Sequence, residues 1–125
     1  MSVTVHTITD IEHYQGENQI PGIRFRPARA AMGVTAWGMN VLEIDAGCEA
    51  HPEHDHAEDG QEELYVVLRG SMTLVCGEER HEVGEGAMAR VTPEVRRKIV
   101  PGKEGVTVLA VGATPGKAYE PPAWG

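Results

Sequence analysis

Glycine and proline punctuate this chain at short, uneven intervals, falling at 21–22, 27, 33, 38, 47, 60, 70, 77, 84, 86, 93, 101–102, 105, 112 and 115–116. Between these marks lie short runs rich in Val, Leu, Ile and Thr. β-Branched side chains suit a pleated, half-buried surface, and Gly and Pro close turns. The pattern predicts many short strands joined by tight turns, folded into a sandwich or barrel. The clearest strands are expected at Thr35–Ile44, Glu62–Arg69, Met72–Cys76, Ala87–Thr92, Val95–Val100 and Val106–Val111. Gly70 is short enough to join two of them as a hairpin, and Cys76-Gly77-Glu78-Glu79 reads as another turn. Helix signals are sparse. Thr9-x-x-Glu12 has capping-box spacing, but no apolar period follows it, so one helical turn near residues 9–15 is the expectation.

With 125 residues, there is material for one domain and no second core. No repeat or linker divides the chain. The formal net charge is −8, which repels phosphate backbones and anionic bilayers, so neither nucleic acid nor membrane is an expected partner. The first residues, MSVTVHTITD, carry no basic segment followed by an apolar one. The longest uncharged stretch, Ala30–Leu42, is too short and too broken to span a bilayer. Cys48 and Cys76, without a CxxC, read as half-buried reduced thiols and point to the cytoplasm. In the tail, Pro121 and Pro122 exclude helix and central strand; Tyr119 and Trp124 are expected to pack on the barrel or on a neighbouring subunit.

Chemistry concentrates in one hexapeptide, His51-Pro52-Glu53-His54-Asp55-His56. In an extended segment His54 and His56 point the same way, because side chains alternate between faces. Glu63 follows seven residues later and heads the apolar run Leu64-Tyr65-Val66-Val67-Leu68. Two imidazoles and a carboxylate on neighbouring strands make a cage for a divalent transition metal. The competing reading is a solvated acidic face, since nine acidic residues and no Lys or Arg lie from Glu43 to Glu63.

The run Gly47…His54-x-His56…Glu63-x6-Gly70 resembles the first motif of the cupins, G-x5-H-x-H-x3,4-E-x6-G. It differs in having six residues between Gly47 and His54, and six between His56 and Glu63, so that Ala57–Gln61 reads as a loop insertion. The spacing to Gly70 selects Glu63 over Glu62. The resemblance covers roughly residues 35–112. It implies an all-β, single-domain jelly-roll barrel with N-terminal strands in 1–34 and an extended tail from 113. It also implies a metal held by His54, His56 and Glu63, with iron, manganese, nickel, cobalt and zinc all admissible. The function implied is binding or transformation of a small organic acid, as in a metal-dependent dioxygenase or isomerase.

The second cupin motif, G-x5-P-x-G-x2-H-x3-N, places Gly86 on its first glycine and Arg97 on its histidine. Arginine has no lone pair to offer a metal. Arg97 shares a face with Val95 and Ile99, the apolar and hence inward face. Three roles are open to it: orienting an anionic ligand beside the metal, pairing with Glu63 in a metal-free site, or packing its stem with its head in water. The second role suits a non-catalytic ligand-binding or sensor barrel built around an Arg97 anion pocket. His51 is a candidate fourth ligand if Pro52 breaks the strand phase; otherwise it is a loop histidine. Tyr65, on Glu63's face, is a candidate catalytic residue with Arg97. Trp37 and Met39, with Tyr65 and Val67, line a cavity or serve as core. Arg24 and Arg26 lie on one side of their strand, at the mouth or as a solvated basic edge. His81 is expected to be exposed. Exposed sheet edges predict a homodimer.

Overall fold

The structure, a computed structural model, describes residues 2–122. Its strands are β1 (Ile23–Arg26), β2 (Gly38–Ile44), β3 (Glu62–Cys76), β4 (Glu79–Gly84), β5 (Met88–Val91) and β6 (Lys98–Ala113). A 3-10 turn at Ile8–Asp10 stands where a helical turn was expected nearby, and a short helix, α1 (Ala28–Met32), follows β1. All pairings are antiparallel, in the order β1-β2-β6-β3-β4, with β5 against β3. The result is the expected all-β jelly roll.

β3 and β6 are longer than the sequence suggests. Gly70 does not close a hairpin: β3 runs through it, and the expected strands Val95–Val100 and Val106–Val111 are largely joined in β6. The alternation explains both facts. Tyr65 and Val67 are buried before Gly70, and Met72 and Leu74 after it, so the inward set changes from odd to even numbers. A turn would break the phase in this way, and so does a bulge. The β3–β6 ladder shifts register between Val67 and Arg69 and again between Gly70 and Met72. Gly70 (φ +74°) and Gly105 (φ +79°) occupy the bend, and a Cβ at Gly70 would lie 2.1 Å from the carbonyl oxygen of Gly105. One long ribbon thereby bends across both layers of the barrel. The Cys76–Glu79 turn is present, closing β3 onto β4. β4 escapes the apolar pattern because it is a charged edge strand with only Val83 buried.

The main core gathers Tyr65, Val67, Met72, Leu74, Ile99 and Val108 with their neighbours. A smaller cluster of Ile11, Ala28 and Val41, with Ala31 and Met39 against it, lies under α1 and the 3-10 turn. Pro27 precedes α1, and Gly33, in the left-handed region, closes it. Met39 is therefore packed in this second cluster, and Trp37 is 43% exposed; neither lines the cavity beside Tyr65. Tyr119 of the tail lies over Gly38, as expected for a packed tail, while Trp124 falls outside the described residues. Cys48 and Cys76 are free and half-buried.

Candidate metal centre

His54 and Arg97 exchange backbone hydrogen bonds, His54 N–H to the Arg97 carbonyl at 3.0 Å and Arg97 N–H to the His54 carbonyl at 2.8 Å. The His56 N–H donates to the Pro93 carbonyl at 2.8 Å. These bonds lay the histidine segment beside the 93–97 segment and turn both imidazoles the same way, with ring centroids 5.3 Å apart. Glu63 enters from the start of β3, on the same face as Tyr65. His54 Nε2 lies 3.9 Å and His56 Nε2 3.7 Å from Glu63 Oε1. One ligand atom from each of the three residues lies within 4.8 Å of the others, and this is the only such group of metal-ligating side chains among the described residues.

The far nitrogens determine what the near ones offer. His54 Nδ1 is 3.0 Å from the Pro52 carbonyl oxygen, and His56 Nδ1 is 3.2 Å from both carboxylate oxygens of Asp59. A carbonyl and a carboxylate only accept, so each Nδ1 carries a proton, and in the neutral imidazole each Nε2 then keeps a lone pair. Two lone pairs and a carboxylate oxygen therefore converge with no proton between them, at separations too long for hydrogen bonds. Such a donor set fits a divalent cation. Asp59 comes from the inserted loop and is itself anchored: burial acts to raise its pKa, but hydrogen bonds from the Gln61 N–H and from His56 outweigh it and hold the carboxyl below the usual range. Sequence reasoning read the insertion as a loop and missed this partner. The signal was an acidic residue three positions after His56.

Tyr65 donates its hydroxyl hydrogen to Glu63 Oε1. Burial, followed by the Glu63 charge, raises its pKa strongly, so it stays protonated and positions the carboxylate. Arg97 is 0% exposed. The expectation of a water-facing head fails; the inward orientation holds. Its Nε is 3.8 Å from Glu63 Oε1, and its NH1 donates to the Val95 carbonyl at 2.9 Å. Among the described residues Nε and NH2 make no close hydrogen bond, and Nε is instead turned to the Glu63 charge. Arg97 is not among the described side chains that line the cavity; it stands against the Glu63 carboxylate.

His51 is 6% exposed and stands outside the three-residue group. Its Nδ1 accepts the Ile99 N–H at 3.0 Å, which commits that lone pair and puts the ring proton on Nε2. Burial, then the charges of His54, Lys98 and Arg97, lowers its pKa to about 4. It is a neutral donor at the cavity wall. Arg24 and Arg26 lie on the face of β1 away from the cavity, which Phe25 lines, and both pair with Glu43; Arg26 is buried, whereas the Arg24 side chain is 39% exposed at the sheet edge. His81 is exposed, as expected, beside Glu79.

Beside the metal group opens a cavity of about 830 Å³ with apolar walls that include Ile20, Phe25 and Leu42. The sequence matches the family described as Cupin domain over residues 40–112, which takes in β2 from Asn40, the candidate metal group and β6 up to Gly112. The chain belongs to the cupin family. Solved structures agree on the fold. A cupin protein from Bacteroides fragilis superposes with a TM-score of 0.65 at 17% identity, covering 88% of this chain and 91% of that one. A protein from Thermotoga maritima described as a predicted oxalate decarboxylase gives 0.70 at 18%, covering 89% and 99%. A sugar phosphate isomerase of the cupin superfamily from Silicibacter pomeroyi gives 0.70 at 18%, covering 88% and 75%. No curated protein matches this cupin's sequence. Among the described residues no helix is long and apolar enough to cross a membrane.

Proposed function

We propose that this cupin holds one divalent transition ion on His54, His56 and Glu63 and binds or transforms a small organic acid in the adjoining cavity. The observation that carries this reading is the convergence of two Nε2 lone pairs and the Glu63 carboxylate, with both histidines held in the Nδ1–H form. A carboxylate or carbonyl behind a ligating histidine raises its basicity and fixes its ring. Bound there, the ion supplies Lewis acidity and, if redox-active, electron exchange.

The chain's own groups do the rest. Tyr65 holds Glu63 in one orientation. His51 offers an Nε2–H donor at the wall, and the apolar side chains exclude water from a bound ligand. No Lys or Arg is among the described lining residues, so a ligand's negative charge depends on the ion and on neutral donors. Iron, manganese, nickel, cobalt and zinc all suit this donor set. We also take the protein to be a cytoplasmic homodimer, because edge strands β4 and β5 each pair on one side only; sedimentation velocity tests the dimer.

Elemental analysis of untagged protein, with the His54→Ala/His56→Ala variant beside it, tests the reading. About one equivalent in the parent and almost none in the variant is expected. Equal metal content in both would overturn it. The approach of Arg97 to Glu63 favours a second reading, a metal-free binding or sensor barrel; protein that stays metal-free after reconstitution would establish that one.

A further inference from the structure

Asn40, Ala110 and Tyr65 stand in one cross-strand row, because Ala110 of β6 pairs with Asn40 of β2 on one side and with Tyr65 of β3 on the other. Directly paired residues share a face, and all three line the cavity. Adjacent strands are about 4.8 Å apart, so roughly 10 Å separates the backbones of Asn40 and Tyr65. The residue between them contributes only a methyl group. The row is therefore a trough, with a carboxamide at one end and the Tyr65–Glu63 pair at the other. Phe25 and Leu42 make its apolar flank.

Two further features limit what can lie in it. The described lining residues include the carboxylates of Glu12 and Glu63 but no Lys or Arg. The Asn40 carboxamide has no hydrogen-bond partner among the described residues. A ligand that displaces water from the trough either meets this amide or strands it.

We propose that the trough takes a singly charged, largely apolar acid about one six-membered ring long, its carboxylate at the metal centre and a hydrogen-bonding group at its far end read by Asn40. This rests on the metal reading above, because the ion is then the fixed positive charge facing the ligand. A second negative charge at the far end of the ligand has no cation there and would face Glu12 and an apolar wall. Asn40 is a specificity-determining residue in this arrangement, able to donate to or accept from a neutral hydroxyl.

Calorimetric titration of zinc-loaded protein with 4-hydroxybenzoate, benzoate, terephthalate and glucose 6-phosphate tests the inference, with bound zinc measured before and after. 4-Hydroxybenzoate is expected to bind about tenfold more tightly than terephthalate or glucose 6-phosphate, whose second charge meets no cation. Asn40→Leu is expected to weaken 4-hydroxybenzoate about tenfold, the size of one hydrogen bond in a desolvated site. It should leave benzoate within about twofold, which also shows that the variant folds. Absence of 4-hydroxybenzoate binding overturns the inference. So does tighter binding of either multiply charged probe, or an equal loss for both benzoates in Asn40→Leu. Failure of the metal reading is separately visible, as a parent protein that takes up no zinc.

Discussion

The carboxylate of Asp59 lies 3.2 Å from Nδ1 of His56, on the side of the imidazole away from Glu63. That contact turns an inserted loop into part of the candidate metal centre. It fixes the ring's tautomer and direction before any ion arrives.

Asp59→Ala is therefore expected to weaken metal binding by about 10–100-fold while leaving the fold intact. The Asp59 side chain is half exposed, so little core is lost. Competition against a chromogenic chelator reads the affinity, and thermal unfolding reads the fold. An unchanged affinity would show that His56 needs no orienting partner.

Arg97 would oppose a cation held on His54, His56 and Glu63. A fixed positive charge near Glu63 Oε1 competes for the ligand's charge and repels a cation a few ångströms further on. Arg97→Met is expected to tighten metal binding by roughly tenfold or more, measured by the same competition. Weaker binding in the variant would mean that Arg97 serves chiefly to hold Glu63 in place.

Gly70→Ala should cost about 3 kcal/mol or more, because the position combines positive φ with a backbone clash. The new Cβ would sit 2.1 Å from the Gly105 carbonyl oxygen. A urea unfolding midpoint within error of the parent would show that the bend can relax.

Acid stability has a component away from the metal. Glu43 accepts from Arg26 Nε at 2.7 Å and from Arg24 Nε at 3.2 Å. Burial acts to raise its pKa, and the two arginines outweigh it, holding the carboxyl below its ordinary value of 4.5. In the folded protein the group releases its proton at lower pH than in the unfolded chain. The contribution is thus present above pH 4.5 and is lost as pH falls through the folded value. Glu43→Gln should destabilise by about 2 kcal/mol at pH 7, since Arg26 is buried and loses its charged partner. The gap from the parent should narrow as the pH is taken below 4.5. Parallel urea curves across that range would refute the assignment.

The apolar alternation placed most strand residues, the inward faces of Glu63, Tyr65 and Arg97, and the Cys76–Glu79 turn. It erred at Gly70, because a phase change reads alike for a bulge and a hairpin. It passed over α1, whose signal was a run of helix formers between Pro27 and Gly33. It missed β4, which is too polar to show a pattern, and it left Met39 open between cavity and core; the structure packs Met39 in the second cluster, and Asn40 and Leu42 line the cavity from β2.

His54, His56 and Glu63 were legible as a group because their types and short spacing restrict the chemistry they can share. Sequence by itself determined the all-β class and this donor set, since both follow from side-chain type and from periodicity along the chain. Only the tertiary structure decided that His51 gives its Nδ1 lone pair to Ile99, that Arg97 lies against Glu63, that Asp59 supports His56, and that Asn40 faces Tyr65 across Ala110. Each of these joins residues far apart in the chain or across a loop. Their distances and proton positions are set by strand register and burial, which no local pattern encodes.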